Sequence, residues 1–165
     1  KVRTFVKEQL AAMIREQYPE ATAIAGVATG AIAQGALVAD ALDLPMCYVR
    51  AKAKDHGMGN LIEGTLPEGA KVVVVEDLIS TGGSSLKAVE ALRAAGFEIL
   101  GMVASFTYGF PVAEEAFRAA NVTLTTLTNY EAVVETARAI GYIEESHLPL
   151  LARWRANPST WSPEV

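Results

Sequence analysis

The chain has 165 residues and a mass of 17.5 kDa, with 51% hydrophobic residues, 20% charged residues and a mean hydropathy of +0.24. That length fits one domain spanning residues 1–165, and the composition excludes a disordered or low-complexity chain. Fourteen Lys and Arg against 19 Asp and Glu leave a net charge of −5, which speaks against binding along a nucleic-acid backbone while allowing a local basic site for a small anion. No apolar run reaches the roughly 18–20 residues that cross a bilayer, and no signal peptide is visible. Cys47 is the single cysteine, so an internal disulfide and a cysteine-based zinc site are excluded. A cytoplasmic protein, with neither nucleic acid nor membrane as partner, is the expectation.

Val2, Phe5, Val6, Leu10 and Met13 recur at helical spacing, so residues 1–17 read as an amphipathic helix that Pro19 ends. Residues 22–27 form a short apolar strand. Ala28-Thr29-Gly30 follows, then an alanine-rich helix to about residue 42 and a short strand over 46–50. Residues 51–69 are polar and carry several glycines; a stretch of that length in a compact domain is more often functional than idle. The β-branched run 71–75 suits a buried central strand, and 76–84 reads as a polar, glycine-rich turn. Leu86, Val89 and Leu92 mark the next helix, with Gly96 placed as its C-terminal cap.

Residues 99–106 are strand-like, Pro111 opens a helix at its favoured first position, and 122–127 is a further strand. Thr128 and Glu131 have capping-box spacing ahead of a helix carrying Val133, Val134, Ala137 and Ile140. A last helix is expected from about 144 to 155, with Leu148, Leu151 and Trp154 facing inward. Strands alternating with helices predict an α/β fold with a central, mainly parallel sheet and helices on both faces. Ligands in such folds bind beyond the carboxyl ends of the strands, which selects residues 28–30, 51–64 and 76–84.

The stretch 72–85 carries the strongest chemistry. Four valines lead to Glu76 and Asp77, then Leu78 and Ile79, and Ser80-Thr81-Gly82-Gly83-Ser84 turns directly into a helix. Free amides at a helix start, with its positive dipole end, make an anion site, and the glycines let the backbone come close. Two acids beside a phosphate cradle are unfavourable unless they serve hydroxyls or a hydrated Mg²⁺, so the pattern reads as a sugar-phosphate site. The stretch lacks the P-loop lysine and the GxGxxG spacing.

This stretch resembles the phosphoribosyl diphosphate (PRPP) signature of type I phosphoribosyltransferases. Arg50, followed by Lys52, Lys54-Asp55-His56-Gly57 and later Ile62-Glu63-Gly64, is similar to the catalytic loop of the orotate phosphoribosyltransferases, and Phe106-Thr107-Tyr108-Gly109 looks like a subgroup of them. The resemblance implies transfer of ribose 5-phosphate from PRPP to orotate with Mg²⁺, giving orotidine 5′-monophosphate and pyrophosphate. It implies that Lys54, His56 and Asp77 are catalytic. Arg50, Lys54 and His56 would face the diphosphate. Glu76 and Asp77 would hold the ribose hydroxyls, directly or through Mg²⁺-bound water. Leu78, Ile79, Ser80, Thr81, Gly82, Gly83 and Ser84 would surround the 5′-phosphate, Ala28, Thr29 and Gly30 the pyrophosphate, and Ser80 the base. It further implies a homodimer whose loop 51–64 reaches the neighbouring site and is mobile without ligand.

The chain departs from that pattern in three places. Ala51 stands where many members carry a second lysine, Thr107-Tyr108-Gly109 where many carry an arginine for the orotate carboxylate, and Lys1-Val2-Arg3 opens inside a helical pattern, so the family's base-covering segment is expected to precede it. A chain starting at Lys1 is accordingly expected to bind PRPP but to turn over orotate poorly. The alternatives are a purine or xanthine phosphoribosyltransferase, which shares the PRPP signature but not the Lys54–Gly57 stretch, and a PRPP-sensing regulator, against which stand the net charge and the intact loop. A kinase is excluded by the missing P-loop lysine.

Overall fold

The computed structural model describes residues 1–50 and 61–162. The chain forms two compact units, Lys1–Asn129 and Tyr130–Val165. The first contains α1 (Val2–Gln17), β1 (Ala23–Val27), α2 (Ala31–Leu42), β2 (Met46–Val49), β3 (Ile62–Glu63), β4 (Lys71–Ile79), α3 (Gly83–Ala94), β5 (Glu98–Thr107), α4 (Pro111–Ala119) and β6 (Leu124–Asn129). Its sheet has the order β3-β2-β1-β4-β5-β6. All neighbours are parallel except β2 and β3.

The valine run explains the layering. Val72 and Val74 pack with Ala88 and Leu92 of α3 and Phe117 of α4, whereas Val73 and Val75 pack with Leu10 and Ile14 of α1 and Val38 of α2. A strand covered on both faces needs no polar alternation, so four consecutive valines are all buried. β1 and β4 lie side by side although two strands separate them in sequence. The chain therefore winds outward on one side of β1, then returns and continues on the other. That reversal opens a crevice between the carboxyl ends of β1 and β4.

Several elements differ from the sequence expectation. β4 runs on to Ile79, whereas residues 76–79 were expected in the turn. Glu76 pairs with Ala104, Leu78 with Phe106 and Ile79 with Thr107, so backbone pairing to β5 outlasts the apolar run. The two-residue β3 lies within a stretch expected to be loop, and no side-chain period can emerge from two residues. β6 starts and ends later than expected and includes Thr128, which pairs in register with Phe106, and the next helix begins at Tyr130.

The second unit holds α5 (Tyr130–Ala139), a 3-10 turn (Glu145–His147) and α6 (Leu148–Ala156), in place of one helix from 144. Glu144 and His147 close a reciprocal capping box around the turn. Leu148, Leu151 and Trp154 are half-buried rather than core. The Tyr130 ring lies 5.4 Å from that of Trp154, and the Arg155 guanidinium sits 5.6 Å over it. Among the described residues, no helix is long and apolar enough to cross a membrane.

Candidate active site

The site grows from the last residues of β4. Side chains alternate across a strand, so Glu76 turns toward α3 and Asp77 toward α2. Glu76 is 5% exposed. Its Oε2 accepts from the Ser85 hydroxyl at 2.8 Å and its Oε1 from the Asp77 backbone N–H at 2.9 Å. Burial pushes its carboxyl up to about 7, against the lowering effect of the Ser85 hydrogen bond. Asp77 is half-buried, and its Oδ1 accepts from the Leu78 N–H at 2.7 Å. The rest of its carboxylate lies against Gly30, where an added Cβ would overlap it. Asp77 thus stands between the end of β4 and the start of α2.

The raised Glu76 value carries a stability prediction. The folded chain keeps this proton up to a pH of about 7, while the unfolded chain releases it near the ordinary 4.5. The stability it contributes is complete below about 4.5 and is lost as pH rises to about 7. Glu76→Gln can still accept from Asp77 and can donate to Ser85. It is expected to unfold at a higher temperature than the parent at pH 8, without metal or ligand, and to match it near pH 4.5. Scanning fluorimetry across that range checks this; parallel pH curves for the two proteins would count against it.

After Ile79 the chain leaves the sheet. Leu78, Ser80, Thr81, Gly83 and Ser84 are exposed, whereas Ile79 is fully buried and offers only backbone to the turn. Gly82 precedes α3 with φ +79°, and a Cβ there would lie 2.7 Å from the Phe117 ring, so conformation and space both require glycine. The first amides of α3 have no carbonyl one turn back, and no acid occupies its first turn. The exposed hydroxyls and these amides give the turn the donors that an anion cradle needs.

Neighbouring segments complete the crevice. The Ala28 amide donates to the Val49 carbonyl at 2.9 Å, which ties residues 28–30 to β2, and the Ala28–Thr29 peptide is cis. The Arg50 amide donates to the Leu61 carbonyl at 2.8 Å, and its guanidinium lies 3.4 Å from Glu63. A cavity of about 680 Å³ is lined by Ala28, Arg50, Gly83, Ser84 and Lys87 among others. Ala28–Gly30, Arg50, Glu76–Asp77 and 80–84 therefore meet at one end of the sheet. Lys54 and His56, like Lys52, lie outside the described residues, as does most of the 51–64 loop.

Three features of this end were not read from the sequence. One is the Glu76–Ser85 bond, and another is the abutment of Gly30 and Asp77. The third is the exit of β5: the Tyr108 amide donates to the Ile79 carbonyl at 3.0 Å, which brings Tyr108 beside Ser80. Its ring meets Phe106 edge-on at 4.9 Å and stacks with Phe110 at 5.4 Å. The quoted Phe106–Gly109 motif marked this segment in the sequence, but its pairing to β4 depends on the register of β5. Cys47 is buried and its thiol is pushed up to about 11, which removes it as a nucleophile.

Residues 5–139 match the phosphoribosyl transferase domain family. The chain is 64% identical over 160 residues to the orotate phosphoribosyltransferase of Bacteroides thetaiotaomicron, an alignment covering 97% of this chain and 76% of that protein. It is 62% identical over 160 residues to that of Bacteroides fragilis, with the same coverage. Among solved structures, it superposes on the orotate phosphoribosyltransferase of Aeropyrum pernix with a TM-score of 0.70 and 28% identity, covering 81% of this chain and 74% of that one. A sheet reversal with an acidic pair and a helix-start cradle, joined to this identity over nearly the whole chain, places the chain in the phosphoribosyl transferase domain family, among the orotate phosphoribosyltransferases.

Proposed function

We propose that this chain transfers ribose 5-phosphate from PRPP to orotate, releasing pyrophosphate and forming orotidine 5′-monophosphate for pyrimidine biosynthesis. The observation that carries the reading is the meeting of the acidic pair Glu76–Asp77 with the 80–84 cradle and residues 28–30 at the β1–β4 crevice. Ser80 through Ser84 hold the 5′-phosphate through backbone amides and hydroxyls, with Leu78 and Ile79 shaping the approach. Ala28, Thr29 and Gly30 hold the diphosphate by backbone. Arg50, Lys54 and His56 balance its charge, and Ser80 faces the base.

The bond from ribose C1 to the diphosphate oxygen breaks ahead of attack. Positive charge grows on the ribose ring and negative charge on the leaving group, and the ring nitrogen of anionic orotate then bonds to C1. No protein nucleophile is required. Asp77 accepts hydrogen bonds from the ribose hydroxyls and favours the cationic ring, a stabilisation that strengthens as the bond breaks. Glu76 supports it from below by accepting the Asp77 amide and fixing Ser85 at the start of α3.

The donor set suits Mg²⁺ carried in with the substrate. Among the described residues there is no group of three His, Cys, Asp or Glu that could cage a metal. Mg²⁺ keeps several waters and takes one or two carboxylates plus substrate phosphates, so Asp77, with Glu76 behind it, would hold it through water. When bound, it supplies charge neutralisation on the diphosphate. The chain acts as a single phosphoribosyltransferase domain in a cytoplasmic homodimer, with residues 51–64 serving the neighbouring subunit's site.

The test is the loss of orotate ultraviolet absorbance in the presence of PRPP and Mg²⁺. Consumption of orotate, even slow, that stops when PRPP or Mg²⁺ is left out is the expected result. Binding of PRPP by calorimetry together with consumption of a purine base, or of no base, would assign the chain to another role.

A further inference from the structure

α3 carries a cation, Lys87, with no hydrogen-bond or ion-pair partner among the described residues. Ser84, Lys87, Ala88 and Ala91 follow one another at i, i+3, i+4 and i+7 along one face of the helix, and all four line the 680 Å³ cavity that also takes in Ala28 and Arg50. Helical side chains lean toward the N-terminus, so the Lys87 stem points back past Ser84 toward the anion-binding end. Glu90 lines the same cavity one turn farther along. That lean carries Lys87 away from it, and a lysine placed ahead of a glutamate is the weaker helical order. Arg50, the cavity's other cation, shares its charge with Glu63 at 3.4 Å.

We infer that Lys87 is a further substrate-binding residue, contributing its ammonium to the diphosphate of PRPP, because it shares one cavity with Ala28 and Arg50. This rests on the phosphoribosyl-transfer reading. Lys87 is exposed on a helix surface, so its replacement leaves the fold intact.

Calorimetry on the parent chain, Lys87→Gln and Lys87→Arg tests it, with inorganic pyrophosphate plus Mg²⁺ and, separately, with ribose 5-phosphate. Lys87→Gln is expected to weaken pyrophosphate binding by about tenfold, the size of one lost charge-assisted hydrogen bond. Lys87→Arg is expected to restore it to within about twofold, and ribose 5-phosphate to bind all three proteins alike. Pyrophosphate binding by Lys87→Gln at the parent's strength overturns the inference and leaves the transferase reading standing. Weakened binding of ribose 5-phosphate alone also overturns it, since the lysine would then serve the 5′-phosphate. A parent chain that binds neither anion overturns both readings.

Discussion

Gly30→Ala is expected to lower kcat/KM for PRPP by about a hundredfold while changing the unfolding temperature little. Gly30 lies at the start of α2 with φ −59°, a conformation alanine adopts freely and a helix favours, so the backbone has no objection. The objection comes from Asp77, whose carboxylate occupies the space a Cβ would need. The smallest adjustment is for Asp77 to swing away, giving up the 2.7 Å bond from the Leu78 amide that now fixes its direction. A displacement of about 1 Å in a group that must meet a developing charge costs on the order of a hundredfold in rate. The substitution changes no charge and removes no hydrogen-bonding group, so its effect isolates geometry. Steady-state kinetics beside a thermal melt separate the two readouts. A variant with parental kcat/KM would mean that Asp77 does not work from the position seen here.

How much of this was legible in the chain follows from how local each signal is. The valine run, Pro111 and Gly96 act through their own backbone or their own face, and the corresponding β4, α4 and C-terminus of α3 are found where they were expected. The polar end of β4 was not legible, because Glu76 through Ile79 stay in the sheet by virtue of pairing with β5, and pairing partners lie far away in sequence. Thr128 failed for the same reason: it has the spacing of a capping residue, but the register with Phe106 claims it for β6. The acidic pair and the glycine turn could be named from sequence alone. The division of labour between the two acids could not, since it depends on which face of the sheet each one meets. Glu76 meets Ser85 of α3 and is buried; Asp77 lies against Gly30, accepts from the Leu78 amide and keeps its carboxylate half-exposed at the crevice. Tyr108 beside Ser80 is a similar case, set by the relative lengths of β4 and β5.

Lys54→Ala is expected to lower kcat by about two to three orders of magnitude while PRPP affinity changes only severalfold. As the C1–oxygen bond breaks, the diphosphate gains negative charge that it did not carry in the bound ground state. The described end of the sheet is poor in cations to meet it. Arg50 is shared with Glu63, Lys87 stands on α3, and the Asp77 carboxylate at the crevice has the opposite sign. The sequence holds further positive charge in Lys52 and Lys54, with His56 beside them. A cation that acts on charge developing in the transition state affects kcat and kcat/KM together, whereas one that only binds substrate shifts KM. Removing one such electrostatic group typically costs about 10² to 10³ in rate. Lys52→Ala in parallel gives the comparison, because a general loss of loop charge would depress both variants equally. The expected pattern is a steep fall in kcat for Lys54→Ala, a mild one for Lys52→Ala and nearly parental PRPP binding by calorimetry in both. Turnover by Lys54→Ala close to that of the parent would remove this lysine from the chemistry.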